Sequence, residues 1–216
     1  EAGVPPGVVN VIPSRQSGAI SNALLRDPRV RKLSFTGSTE VGRTLLAAAA
    51  DNVVKCSMEL GGNAPFIVLP DADLDAAVKA AMVAKLRNGG ESCTAANRFY
   101  VHESIAKPFA ERFAQAMNEV RMGPGLEPGV QLGPLINART RDKVAELVGD
   151  AVDRGARVLT GGKASGQRGY FYEPTVLAGV PPDARAMREE IFGPVAPVCS
   201  YSDIDEAVRL ANDTEF

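Results

Sequence analysis

Four short segments set a reactive side chain beside glycines, which allow a ligand to approach the main chain closely. In Arg87-Asn-Gly-Gly-Glu-Ser-Cys93 a single cysteine follows a glycine pair and precedes Thr94-Ala-Ala. If those residues open a helical turn, peptide dipoles face the thiol, lower its pKa and supply thiolate, the nucleophilic form. The plainer reading of a free cysteine is a buried, inert small hydrophobe. In Met58-Glu-Leu-Gly-Gly-Asn63 a lone carboxylate, Glu59, precedes a double glycine. Flanked by Met58 and Leu60, it is expected to be partly desolvated, which moves a carboxyl toward the range of a general base. A glutamate on a solvated edge is the alternative.

The third segment, Phe35-Thr-Gly-Ser-Thr-Glu-Val-Gly42, puts a Gly-x4-Gly turn between a strand and a helix, with two hydroxyls at the helix start. Unpaired N–H groups and the positive end of the helix dipole would suit a phosphate there. Equally, Gly37 simply makes the turn and Ser38 caps the helix. The fourth, Glu189-Glu-Ile-Phe-Gly-Pro-Val195, joins two acids to an aromatic, a glycine and a proline; alone it is a turn with a solvated glutamate pair. Cys56 and Cys199 sit in apolar strand-like runs without glycine and read as structural. His102 reads as an ordinary strand-end residue.

Short β-rich runs alternate with helical patterns, the habit of α/β architecture. Residues 7–12, 30–35, 63–69 and 157–160 read as strands. Helices are expected over residues 17–26, after Gly37, after a cap at Asp71 or Asp73, from Ser104, through Val144 to Val152 with Gly155 as the stop, and over residues 202–211. The first residues, with neither an initiator Met nor a leader pattern, and the last, Ala211-Asn-Asp-Thr-Glu-Phe216, read as ends cut from something longer.

With 216 residues, 24 basic and 26 acidic, the chain is long enough for a sizeable core and too balanced in charge to favour nucleic acid or an anionic membrane surface. The longest wholly apolar run, residues 45–50, falls far short of the roughly 20 residues a bilayer requires. Three widely spaced cysteines and one histidine argue against a disulfide framework, a metal site and a Ser-His-Asp triad. A reducing, cytoplasmic setting is expected.

Together and in this order, the segments resemble the aldehyde dehydrogenase superfamily. The likeness runs from Pro5-Pro-Gly-Val-Val-Asn through Phe35-Thr-Gly-Ser, Glu59-Leu-Gly-Gly, Cys93, Gly133-Pro-Leu-Ile-Asn137 and Glu190-Ile-Phe-Gly-Pro to Ala211-Asn-Asp-Thr. Glu59-Leu-Gly-Gly-Asn-Ala-Pro-Phe-Ile-Val and Ala95-Ala-Asn-Arg98 look most like the succinate-semialdehyde dehydrogenases. The resemblance implies an α/β fold: residues 1–60 as the C-terminal part of a Rossmann-type NAD(P)-binding domain, and residues 61–216 as an α/β catalytic domain truncated at its C-terminus. It implies Cys93 as nucleophile and Glu59 as general base. Gly37, Ser38 and Gly42 would line the cofactor pyrophosphate, with Phe35, Thr36, Val41 and Leu60 also at the cofactor. Glu190 would hold the nicotinamide ribose, Phe192 the nicotinamide ring, and Arg87 the distal carboxylate of a semialdehyde.

The implied reaction is oxidation of an aldehyde, most simply succinic semialdehyde, with NAD or NADP and no metal, in a homodimer or homotetramer. An aminoaldehyde or aliphatic aldehyde substrate, or a fold-retaining piece without catalysis, are the other readings. The family's oxyanion-hole asparagine, a cofactor-binding lysine and the C-terminal strand that bridges subunits have no counterpart in these residues, so the 216-residue chain by itself is expected to be inactive. Glu91 replaces a more usual glutamine. Ala95 replaces the second cysteine of some relatives and so excludes a disulfide switch with Cys93.

Overall fold

The computed structural model describes residues 2–166 and 168–216, in two compact units, Glu1–Gly61 and Gly62–Phe216. In the first, helix α1 (Ser17–Arg26) precedes strand β1 (Lys32–Gly37), helix α2 (Thr39–Ala50) and strand β2 (Lys55–Leu60). β1 and β2 run parallel, in register from Lys32 opposite Lys55 to Gly37 opposite Leu60. Parallel neighbours need a crossover, and α2 supplies it. Its Leu45 and Ala49, four residues apart on one face, pack with Leu25 and Val54 into a small core. Asn52 closes the far end by donating its amide to the Leu25 carbonyl at 2.8 Å.

Residues 7–12, expected as a strand, form none: they are turn and coil, with Val9 and Val11 exposed. A strand exists only where a neighbour takes up its N–H and C=O groups. No such neighbour pairs with this segment among the described residues.

The second unit is a five-stranded sheet in the order β3 (Ala64–Val68), β4 (Ala96–His102), β7 (Val195–Tyr201), β6 (Thr175–Ala178), β5 (Arg157–Thr160). All pairs are parallel except β5 with β6. Side chains alternate across it along β6, β7 and the second half of β4, while register shifts interrupt the pairing at Ala64/Pro65 and Val158/Thr160. Phe99, Val101, Val176, Ala178, Ala196 and Val198 face a core built with helices α3 (Leu74–Leu86) and α4 (Glu103–Asn118). Tyr100, Leu177, Val195 and Cys199 face the opposite core, built with α5 (Ala138–Asp153), the short α6 (Arg185–Arg188) and α7 (Ile204–Asn212). Burial on both faces is what a mainly parallel sheet requires, and it explains why these strands read as continuous apolar runs.

The helix ends follow the side chains that cap them. Asp73, not Asp71, starts α3, its Oδ1 accepting the N–H groups of Asp75 and Ala76 at 2.9 and 3.0 Å. Gly155 takes φ +98° just beyond α5, where its N–H and that of Ala156 satisfy the Val152 and Ala151 carbonyls. His102 ends β4 and caps α4: its Nδ1 accepts the Ser104 N–H, and its Nε2 donates to the Ser202 carbonyl. Arg98, 1% exposed on β4, donates to three carbonyls, of Asn63 at 2.7 Å, Leu210 at 3.1 Å and Ala211 at 3.0 Å. It thereby ties the entry of β3 to the end of α7. No helix among the described residues is long and apolar enough to cross a membrane.

Candidate active site

In the first unit the residues marked by the sequence gather at the carboxyl ends of β1 and β2. Thr36 lies opposite Glu59, and Gly37 opposite Leu60. Ser38 is the N-cap of α2, its hydroxyl oxygen accepting the Val41 N–H at 3.4 Å, which leaves the hydroxyl proton to donate. Gly42 is buried against Leu60; a Cβ there would stand 2.6 Å from Cδ2 of Leu60. Phe35 packs its ring under Gly37, where a Cβ would come 2.5 Å from Cζ. The glycines let α2 start directly off β1, so its first-turn N–H groups emerge beside an exposed Ser38 hydroxyl. That donor set fits the pyrophosphate of a dinucleotide.

Glu59 is exposed on β2. The partial desolvation expected from its apolar neighbours is not found, because Met58 and Leu60 point to the other side of the strand by the two-residue alternation.

In the second unit, α3 runs into a turn at Arg87–Gly90 in which Asn88, Gly89 and Gly90 all have positive φ, of 53°, 66° and 79°. Three left-handed residues in succession reverse the chain and leave Arg87 and Cys93 exposed. Cys93 is not at a helix N-terminus: it sits in a turn closed by Ala95 N–H to Ser92 O at 3.1 Å, and β4 follows at once. The dipole argument therefore loses its helix, while the buried, inert alternative fails on exposure. Cys199 is the buried thiol, and burial pushes it up to about 11. Cys56 is half-buried, its thiol 3.3 Å from the Val54 carbonyl.

Three contacts that local motifs do not reveal connect Gly62, the cysteine turn and Glu190 and its segment. The Cα of Gly62 lies under the Cys93 carbonyl, where a Cβ would be 2.6 Å from the oxygen. The Gly62 N–H donates to Glu190 Oε1 at 3.2 Å, so one residue touches both the cysteine turn and the Glu190 carboxylate. Lys143 on α5 donates to the Glu190 carbonyl at 2.6 Å. Phe192 is half-buried with φ +54°, a strained setting for an aromatic residue and one that marks functional segments. Glu91 accepts the Ile136 N–H at 3.1 Å; burial pushes its carboxyl up, against the lowering effect of that bond. Among the described residues no group of three or more His, Cys, Asp or Glu side chains could hold a metal ion.

The chain is thus α/β with parallel strands, with a strand-to-helix turn presenting first-turn N–H groups in one unit and an exposed cysteine turn tied to a glutamate in the other. The chain belongs to the aldehyde dehydrogenase family, whose model matches residues 1–216. It is similar to the succinate-semialdehyde dehydrogenase of Paenarthrobacter nicotinovorans, at 54% identity over all of this chain and 48% of that protein. It is also 50% identical, over all of this chain and 44% of that protein, to the NADP(+) succinate-semialdehyde dehydrogenase GabD of Escherichia coli strain K12. The crystal structure of succinate-semialdehyde dehydrogenase from Burkholderia pseudomallei superimposes with a TM-score of 0.96 at 50% identity, over 99% of this chain and 44% of that one. The chain thus spans under half the length of these relatives.

Proposed function

We propose that the full-length protein oxidises succinic semialdehyde to succinate with NAD or NADP, through a covalent intermediate on Cys93. The observation that carries this reading is the exposed Cys93 turn seated on Gly62, whose N–H holds Glu190. The names of the relatives support the substrate and the cofactor class.

The Cys93 thiolate adds to the aldehyde carbon, giving a thiohemiacetal whose oxygen carries the negative charge. A nicotinamide held by Glu190 and Phe192 would supply the hydride acceptor for that carbon, and Cys93 would then carry the acyl group as a thioester. Glu59 takes a proton from water, the hydroxide adds to the thioester carbonyl, and the Cys93 thiolate leaves as the acid departs. Sulfur suits both ends of this sequence, being a strong nucleophile on entry and a good leaving group on exit. Glu190, held by Gly62, would position the ribose of the nicotinamide, and Phe192 its ring. The cradle of Phe35, Thr36, Gly37, Ser38, Val41, Gly42 and Leu60 would take the remainder of the cofactor. Arg87 would fork onto the distal carboxylate.

The test is a steady-state assay of the full-length protein with succinic semialdehyde and each nicotinamide cofactor. Turnover is expected in the wild type and its abolition in Cys93→Ser. Glu59→Gln is expected to form the thioester in a rapid first turnover and then stall. A Cys93→Ser protein that turns over normally would overturn the reading.

A further inference from the structure

We infer that Lys85 and Asn97 are positioning residues that hold Gly62, and through it both the Cys93 turn and Glu190. The inference rests on the proposed roles of Cys93 and Glu190. Lys85 lies on the buried face of α3, four residues beyond Ala81 and seven beyond Val78, and is 0% exposed. An aliphatic residue would fill that place with no amino group to desolvate, and desolvation lowers the lysine pKa to about 7. The amino group therefore has to be accounted for by its contact.

That contact is a 2.8 Å hydrogen bond from Lys85 Nζ to Oδ1 of Asn97, itself 1% exposed on β4. Whether ammonium or amine, Nζ has N–H groups to donate, so Oδ1 of Asn97 faces Lys85 and Nδ2 faces the other way. Nδ2 donates to the Gly62 carbonyl at 3.3 Å. Gly62 in turn gives its N–H to Glu190 Oε1 at 3.2 Å and seats the Cys93 carbonyl on its Cα. A continuous chain of polar contacts thus leads from the end of α3 to the carboxylate proposed to hold the cofactor, with Cys93 resting on its central residue. Gly62 has no side chain with which to fix itself. Displacements of about 0.5 Å are enough to degrade a site of this kind.

Asn97→Asp separates positioning from mere packing. The carboxylate has the volume of the amide and still accepts from Lys85, now as an ion pair, but it has no N–H for the Gly62 carbonyl. In the full-length protein a purely structural pair predicts an unchanged or higher melting temperature and unchanged ligand binding. The positioning role predicts a retained melting temperature with the dissociation constant for NADPH, read by nicotinamide fluorescence, raised at least about fivefold. It also predicts a changed rate of Cys93 alkylation by iodoacetamide in the cofactor-free protein. Lys85→Met is expected to raise the same dissociation constant, and the double variant to do no more than either single one. If Lys85→Met fails to fold, Asn97→Asp alone decides. A folded Asn97→Asp protein with NADPH affinity and alkylation rate within twofold of wild type overturns the positioning role while leaving the proposed function standing. A wild type that binds no nicotinamide cofactor overturns both.

Discussion

The Cα of Gly90 packs so closely on Gly193 that a Cβ at position 90 would stand 2.3 Å from the Gly193 carbonyl oxygen. The two glycines fasten the loop bearing Arg87 and Cys93 to the segment bearing Glu190 and Phe192. Gly90→Ala has to pay for a left-handed φ of 79° and for a backbone collision that no rotamer relieves. The left-handed conformation costs about 1–2 kcal/mol and overpacking about 1–3 kcal/mol, so a loss of roughly 2–5 kcal/mol is expected. Gly149→Ala, at an α5 position with open space around it, is expected to be neutral or slightly stabilising. Urea midpoints of the two variants should therefore move apart, and equal midpoints would contradict the Gly90–Gly193 contact.

The three thiols should label in an order set by exposure and burial. Cys93 is exposed, Cys56 half-buried and Cys199 buried. With the Cys199 thiol pushed up to about 11, its thiolate is scarce at neutral pH and grows about tenfold per pH unit until that value is reached. Iodoacetamide followed by peptide mass mapping is expected to modify Cys93 first and Cys199 last. Uniform slow labelling would count against an active Cys93.

Lys85 should leave a signature in the pH dependence of stability. Its folded pKa is lowered from 10.5 to about 7 by burial, so between those values the unfolded chain holds a proton that the folded chain has released. Protons bound in the unfolded state exceed those in the native state, and stability rises with pH across this window by at most about 1.4 kcal/mol per pH unit. Below the folded pKa both states are protonated and the penalty is full. Comparing denaturation near pH 6 and near pH 9, wild type is expected to gain stability relative to Lys85→Met. Parallel curves would mean that Lys85 stays charged throughout.

Arg87 is exposed beside the cysteine turn, and a guanidinium bound to a carboxylate contributes about 1.5–3 kcal/mol. In the full-length protein Arg87→Leu is therefore expected to raise KM for succinic semialdehyde roughly ten- to a hundredfold, while KM for butanal, of the same length and uncharged, changes little. Equal effects on both aldehydes would remove Arg87 from substrate recognition.

Helices with strong end signals were the legible part of the fold: Asp73 before α3, and Gly155 after α5, announce themselves by residue type. Residues 7–12 misled because their apolar, β-branched composition is also that of a strand, and pairing partners are invisible to local pattern. β6 went unread because Thr175–Ala178 is four residues between Pro174 and Gly179, too short to display a period. Among the candidate site residues, Cys93 and the turn around Gly37 drew attention because reactive groups stand beside glycines there, whereas Glu190, in a segment that alone reads as a solvated turn, was named only through the family resemblance. Gly62, Lys85 and Asn97 were not singled out. Gly62 acts through its backbone, and the lysine–asparagine contact joins residues on a helix and a strand. One signal was present: a lysine at the fourth place after Ala81 on an otherwise apolar helical face.

Arg98 has a consequence for any shortening of the chain. A guanidinium cannot shed its proton, so the cation inside this unit stays tolerable only while the carbonyls of Asn63, Leu210 and Ala211 surround it. Trimming away the final turn of α7 would strip two of those three oxygens and strand a permanent charge among hydrocarbon. A helix end that looks dispensable from outside is in effect the counter-ligand of the interior.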